Sequence, residues 1–131
     1  MSLTNRADEI KSLLEEDGSL SDCRILTAYP NAKKPSLLQH TYVVVYPDEA
    51  QGEACSLGEC RQLMRCRVAV GVYVPQHDGI EVLCRLAQEI TDTLTVTMPQ
   101  EVSISKIEVH DELNGYAIIC SFVYLDAIGG N

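Results

Sequence analysis

The sequence predicts an α+β fold, in which a mostly antiparallel sheet of four to five strands carries an N-terminal helix and a second helix over about residues 79–94. Apolar residues recur at helical spacing in both helices, whereas residues 64–74 alternate with the period of two that is typical of a strand. Asn114-Gly115 separates two strand-like segments and is typical of a hairpin turn. Together these patterns predict a single domain over residues 1–131.

The N-terminal part of the chain predicts one helix followed by two strands. Residues 4–17 carry an apolar stripe at helical spacing, and Gly18 ends the helix. A short strand is expected at Cys23–Tyr29, and a strand rich in β-branched residues at His40–Pro47. Residues 48–60 are polar and acidic and predict a loop. The helical stripe consists of Leu3, Ala7, Ile10, Leu13 and Leu14.

The centre of the chain predicts a long strand and an amphipathic helix. One set of alternating positions in residues 64–74 is apolar, so one face of this strand should be buried. Asp78 is the expected N-cap of the following helix, and Glu81 stands at the spacing of a capping box. This helix should lie on the sheet. Its expected apolar stripe consists of Ile80, Leu83, Cys84, Ala87, Ile90, Thr91 and Leu94.

The C-terminal segment predicts a hairpin around Asn114. The incoming strand changes phase between Ile104 and Ile107, which indicates a bulge or a late strand start. The outgoing strand, Tyr116–Leu125, is apolar at nearly every position. We therefore expect it to be central and covered on both faces, or covered on one face by another subunit. Residues 126–131 are expected to form a flexible tail.

Charge and composition argue against several classes of protein. The formal net charge of −9 disfavours general nucleic-acid binding, which needs a basic surface. No apolar run is long enough to predict a membrane span. The N-terminus lacks the basic start and apolar core of a signal peptide, so we expect a cytosolic protein with reduced cysteines. No phosphate-loop, dinucleotide, serine-hydrolase or zinc-protease motif occurs.

Three cysteines, Cys55, Cys60 and Cys66, lie close together in the segment ACSLGECRQLMRC. Structural zinc sites usually combine two ligand pairs, whereas these cysteines follow one another with no histidine between them. Cys66 also falls on the apolar side of the long strand, where a small buried side chain is expected. A catalytic thiol would need a nearby base to lower its pKa. His77 is a candidate base, but nothing in the sequence brings it near a cysteine. We therefore predict no metal site, no cofactor and no catalytic residue.

The charges are segregated along the chain. Residues 47–60 carry acids without a basic residue, and residues 61–75 carry arginines without an acid. Such patches can meet between copies of a chain, although an ordinary solvated surface is the alternative. The candidates for a subunit interface are Asp48, Glu49, Glu53, Arg61, Arg65 and Arg67.

The order of elements resembles that of the tail terminator proteins of long-tailed bacteriophages, including the lambda type, and of related minor tail proteins of prophages. The likeness rests on the chain length and on a helix, Ala7–Leu14, that precedes the strands. A long loop, Asp48–Arg61, then separates HTYVVVY from QLMRCRVAVGVYV. A helix opened by HDGIEVL leads to a hairpin that ends in AIICSFVYL. The resemblance covers nearly the whole chain.

This resemblance implies a structural protein of the virion tail, made in the cytoplasm of the bacterial host, and no enzyme. Such proteins form a homo-oligomeric ring, commonly a hexamer, that caps the tail tube, stops its polymerisation and presents a surface to a head completion protein. DNA would only pass through the lumen, and an acidic wall would let it slide. The long loop would be a candidate for contact with the tube protein, and segregated charges suit a head-to-tail ring.

Two alternatives remain open at this point. The same layout could belong to a small oligomeric ligand-binding module, or to an enzyme, with a site between subunits. Within phages, it could belong to a head-tail connector or another minor tail component.

Overall fold

The computed structural model describes residues 3–27, 40–53, 62–111 and 114–128. It confirms the α+β class: two helices pack on a mixed, mostly antiparallel sheet of six strands. Short 3-10 turns follow the first helix, precede the second helix and follow it. The elements are α1 (Leu3–Glu16), β1 (Arg24–Thr27), β2 (Tyr42–Glu53), β3 (Gln62–Pro75), α2 (Gly79–Leu94), β4 (Glu101–Ile104), β5 (Glu108–His110) and β6 (Gly115–Ile128).

The strand order is β1-β2-β3-β6-β4, and β5 pairs with β6 further along the same edge as β4. Only β1 and β2 run parallel, and every other pair is antiparallel. The two longest strands, β3 and β6, are adjacent and pair along their full length, from Gln62 opposite Ile128 to Pro75 opposite Gly115. The prediction that the last strand is central is therefore confirmed. Its pairing with β3 also keeps β6 extended through Ile128, into the segment that was expected to be a tail.

The expected loop after Pro47 is wrong for residues 48–53, which continue β2. Pro47 pairs with Val68 and Glu49 pairs with Arg67, so Asp48 is the extra residue of a β-bulge. Proline is tolerated here because β1 reaches only to Val45, which leaves Pro47 on a stretch of β2 that has one described neighbour. Residues 54–60 of the expected loop lie outside the described residues.

The phase change in the incoming strand of the hairpin is confirmed as a break between β4 and β5. Ile104 pairs with Cys120 and Glu108 pairs with Ala117, so the intervening segment of the incoming strand contains one residue more than its partner segment. Asn114 has a φ of 55°, a left-handed conformation that Asn tolerates well in turns. The turn falls where the sequence predicts it, although Gly115 already belongs to β6 and pairs with His110.

The main core lies between the sheet and the two helices. Helix α1 packs mainly on β1 and β2, and α2 packs mainly on β3 and β6. Alternate residues of the central strands point toward the helices, and burial of one such large apolar side chain stabilises the fold by roughly 1.5–3 kcal/mol. The largest fully buried side chains are Phe122, Ile10, Leu14, Leu20, Leu83, Ile90, Leu94, Val43, Val45, Val68, Val70 and Val72.

Two expectations for α2 are wrong. Ile80 and Cys84 belong to the expected buried stripe, yet both are exposed, because the buried side is centred on Leu83, Ala87 and Ile90. The capping box is not formed either, since the Asp78 side chain makes no capping hydrogen bond. The 3-10 turn before α2 gives Asp78 helical backbone angles, whereas an N-cap needs an extended residue.

On the second face of the sheet, opposite the helices, a tyrosine covers small residues of the central strands. An added Cβ at Gly71 would lie 3.0 Å from Cε2 of Tyr73 and 3.3 Å from its hydroxyl oxygen. The ring therefore lies over the glycine and packs with Ala117, Tyr42 and Val44. A side chain at position 71 would displace it.

We expect Gly71→Val to lower the free energy of unfolding by about 1–3 kcal/mol, because overpacking forces the tyrosine out of its position. Urea denaturation would measure this change. In a Tyr73→Ala background the same substitution should cost much less, since the clashing ring is gone. Gly18→Ala is the matched control, because no atom lies within 4 Å of its added Cβ. Equal losses with and without Tyr73 would contradict this packing.

A carboxylate joins the end of α1 to α2. Asp17 accepts a hydrogen bond from the Thr93 hydroxyl at 2.6 Å through one oxygen, and from the Ser19 N–H at 2.9 Å through the other. These bonds, that from Thr93 foremost, lower the pKa of Asp17. The pKa of the neighbouring Glu89 is raised, chiefly through its hydrogen bond with Asp17. Asp17 is therefore the ionised member of the pair over the wider pH range.

We expect Thr93→Val to lower the free energy of unfolding by about 1 kcal/mol at neutral pH. Because the folded-state pKa of Asp17 is depressed, its stabilising contribution is present at neutral pH and is lost as pH falls below about 4. The cost of Thr93→Val should therefore shrink on acidification, as urea titrations at several pH values would show. Thr91→Val is the control, since the Thr91 hydroxyl donates to an uncharged carbonyl, that of Gln88. A cost that stays constant with pH would contradict the role of the carboxylate.

Candidate assembly surface

The structure places the predicted interface arginines Arg65 and Arg67 on β3, each beside acidic residues of the same chain. An Nη of Arg67 lies 3.8 Å from a carboxylate oxygen of Asp48, which the bulge of β2 brings alongside. Arg65 reaches across β6 to Glu101, at 3.0 Å, and donates a hydrogen bond to Gln100 at 3.3 Å. Both arginine side chains remain partly accessible, and exposed ion pairs of this kind contribute at most about 1 kcal/mol each.

Only part of the predicted charge cluster is brought together. The backbone of Glu49 pairs with that of Arg67, and the backbone of Glu53 pairs with that of Leu63. The side chains of Glu49 and Glu53, and the whole of Arg61, lie outside the described residues. Part of the positive charge of β3 is therefore neutralised within one subunit, because Glu101 pairs with Arg65 and Asp48 pairs with Arg67. A role for these residues between subunits stays a prediction.

Exposed apolar side chains lie at the edge of the sheet formed by β4 and β5. Val102 and Ile104 are each 49% exposed and Val109 is 65% exposed. Their strand partners Phe122, Cys120 and Tyr116 point to the core, so these three side chains stand on the helix side of the sheet. They remain exposed because the helices lie mainly over the other strands. We call Val102, Ile104 and Val109 the edge strip.

The edge strip was missed in the sequence, although a signal was present. Val102 and Ile104 alternate with polar residues, which is the pattern of a strand with one face meant for burial. Val96 and Met98, in the connection from α2 to β4, are also exposed, at 68% and 85%. Exposed apolar side chains that cluster on a surface mark protein contact sites more often than scattered ones do.

The opposite edge of the sheet is formed by β1. This strand pairs with β2 on one side and with no described residue on the other. Leu26 is 46% exposed and stands on the second face, across from Val44, while Arg24 is exposed beside it. The sheet therefore ends in two short strands, β1 and β4, that carry exposed apolar side chains.

Two of the four described cysteines behave as packing residues. Cys66 is buried, as predicted, and Cys120 is buried as well, which raises the pKa of Cys120 to about 11. Burial also raises the pKa of Cys23. No group of three or more His, Cys, Asp or Glu side chains is placed to hold a metal ion among the described residues, while Cys55 and Cys60 lie outside them.

We expect iodoacetamide to modify Cys84 in the native protein and to spare Cys66 and Cys120 until the chain is unfolded. The thiolate is the reactive form, and both buried thiols are inaccessible; the raised pKa of Cys120 also keeps it protonated at about pH 8. Mass spectrometry of tryptic peptides would report the modified sites, with a urea-unfolded sample as the control. Modification of Cys120 at the rate of Cys84 would contradict the placement of β6 in the core.

His77, the base considered for a catalytic thiol, is exposed and lies 3.5 Å from an oxygen of Asp78. It precedes α2 and stands outside the core. Within the described part of the chain, neither helix is long and apolar enough to cross a membrane.

Comparison with known proteins supports the fold and no particular activity. No family model matches the chain. No curated protein matches it either. The chain is similar to a solved structure that bears only a sequence identifier, with a TM-score of 0.52 and 17% sequence identity. This likeness covers 97% of the chain and 96% of the other protein. At this identity the likeness supports the fold alone.

Proposed function

We propose that the protein is a structural component of a bacteriophage or prophage tail, similar to a tail terminator, and that it assembles into a ring at the end of the tail tube. The order and kind of its elements carry the proposal. An N-terminal helix, strands, a second helix at Gly79–Leu94 and the closing strands β4, β5 and β6 follow one another in an order that resembles that family.

The uncovered surfaces of the sheet support an assembling protein. A subunit of a closed ring needs two different contact surfaces, one for each neighbour. The chain has exposed apolar residues at both ends of its sheet, with Leu26 at one end and the edge strip at the other. A single chain leaves these side chains in water, whereas a ring would bury them.

The charge of the chain supports the same function. The formal net charge is −9, which would line a DNA passage with like charge and keep the DNA from sticking. The tail tube and a head completion protein would be the further partners. A small ligand-binding or enzymatic oligomer, with its site between subunits, is the rival function, and it would require a bound small molecule or a turnover.

We expect native mass spectrometry over a concentration series to show a closed ring, with a hexamer as the leading species and no bound metal or small molecule. Negative-stain electron microscopy of the same sample should show a ring with an open channel. Mixed with a polymerising tail tube protein from the same genome, the ring should stop tube growth, whereas bovine serum albumin at the same concentration should not. A stoichiometric small-molecule adduct, or tubes that grow unchanged, would contradict the proposal.

A further inference from the structure

The two end strands of the sheet are matched in length and direction. Strands β1 and β4 each contain four residues. Strand β1 is parallel to β2, and three successive antiparallel pairings then lead to β4, so β1 and β4 run in opposite directions. If a second copy continued the sheet, its β1 would meet β4 of the first copy in antiparallel orientation, which is the arrangement with the better hydrogen-bond geometry.

Both end strands have backbone groups that point away from their own sheet. The N–H of Arg24 donates to the carbonyl of Thr41, next to β2. Successive residues of a strand point their backbone groups to opposite sides, so the N–H and C=O of Ile25 face away from the sheet. The N–H of Ser105 donates to the carbonyl of Ile119 in β6. By the same alternation, the backbone N–H and C=O of Val102 and Ile104 face away from β6. These outward groups meet no partner strand among the described residues, and they form a template for pairing.

We propose that copies of this chain join edge to edge, with β4 of one subunit pairing with β1 of the next, so that one continuous sheet runs around the assembly. This inference rests on the proposed ring function and names the surfaces that would build the ring. It makes the contact heterologous, because two different edges of the same chain meet at every interface.

Charge complementarity favours unlike edges over like ones. The β1 edge carries the exposed Arg24, while the opposite edge carries Glu101 on β4, which also pairs with Arg65 of its own chain, and Glu108 on β5; these acidic side chains are 59% and 48% exposed. A β4–β4 pair would bring two copies of Glu101 together, and a β1–β1 pair would bring two arginines together. In the register that places Ile25 opposite Val102, Arg24 of one subunit stands diagonal to Glu101 of its neighbour.

The same arrangement explains the uncovered edge strip. Helix α1 packs over β1 and β2, on the face toward which Val102 and Ile104 point. When β1 of a second subunit extends the sheet beyond β4, α1 of that subunit arrives on the same side and flanks the strip opposite α2. Val102 and Ile104 are each about half exposed in a single subunit. In the pair of subunits they would lie between α2 of their own subunit and α1 of the neighbour.

Two edge-blocking substitutions test the pairing, since each one damages a single edge. Val102→Glu places a charge on the β4 edge, and Arg24→Glu reverses the charge of the β1 edge. Alone, each variant should self-associate at least roughly tenfold more weakly than the wild type. Val102→Glu forces an unpaired charge against the apolar Ile25 of the neighbour, and Arg24→Glu sets an acid diagonal to Glu101. Mixed in equal amounts, the two variants should form a one-to-one dimer and nothing larger, since only one pair of intact edges remains.

Sedimentation velocity and native mass spectrometry would measure these species, and thermal unfolding would establish that both variants are folded. Ile80→Glu is the matched control, because Ile80 is 44% exposed and belongs to α2 and to neither end strand, and this variant should assemble as the wild type does. Rings formed by either edge variant alone would overturn the edge pairing and leave the ring function standing. A mixture that stays monomeric would also overturn the pairing. A wild-type chain that never assembles would contradict both proposals.

Discussion

The pairing of β3 with β6 is the contact on which the rest of the structure depends. Both strands have fourteen residues, and every residue of one stands opposite a residue of the other. Side chains such as Val70 and Phe122 point from this ladder to the helices, and Ala69 and Ala117 point to the opposite face. Both strands supply side chains to the core beneath the helices, and their small residues on the other face lie beneath Tyr73, so this pair forms the middle of the sheet. The shorter strands and both helices are then placed around it.

Because the β3–β6 pair fills the core, apolar side chains at the edge of the sheet are left exposed. Two helices cover the middle strands from one side, and Tyr73 covers the small residues on the other, so the core is complete without β4. The apolar side chains of Val102 and Ile104 are therefore left over at the rim. In a subunit that works alone such a rim would favour aggregation, whereas in a ring it becomes the contact between neighbours. The proposed tail function and the proposed edge pairing both follow from this division between a filled centre and an unfilled rim.

Much of the fold was accessible from local patterns. The alternation of residues 64–74, the helical stripe after Gly79 and the turn at Asn114 each depend on the spacing of neighbouring residues, and each is confirmed. The errors occur where local signals compete with distant ones. Pro47 and the acids after it predict a loop, yet pairing with β3 continues the strand through a bulge. Cys84 fits a helical stripe, but the direction in which the sheet meets α2 leaves it exposed.

By itself, the sequence determined the class of the protein: the number and kind of its helices, its longest strands, the buried positions of Cys66 and Cys120, and an acidic surface that is unsuited to general nucleic-acid binding. These properties follow from residue spacing and composition. Only the tertiary structure decided which acids face Arg65 and Arg67, which strands end the sheet, and which apolar side chains no helix covers. Those properties depend on strand order and on the placement of the helices, and both arise from contacts between residues far apart in the chain, which no local pattern encodes.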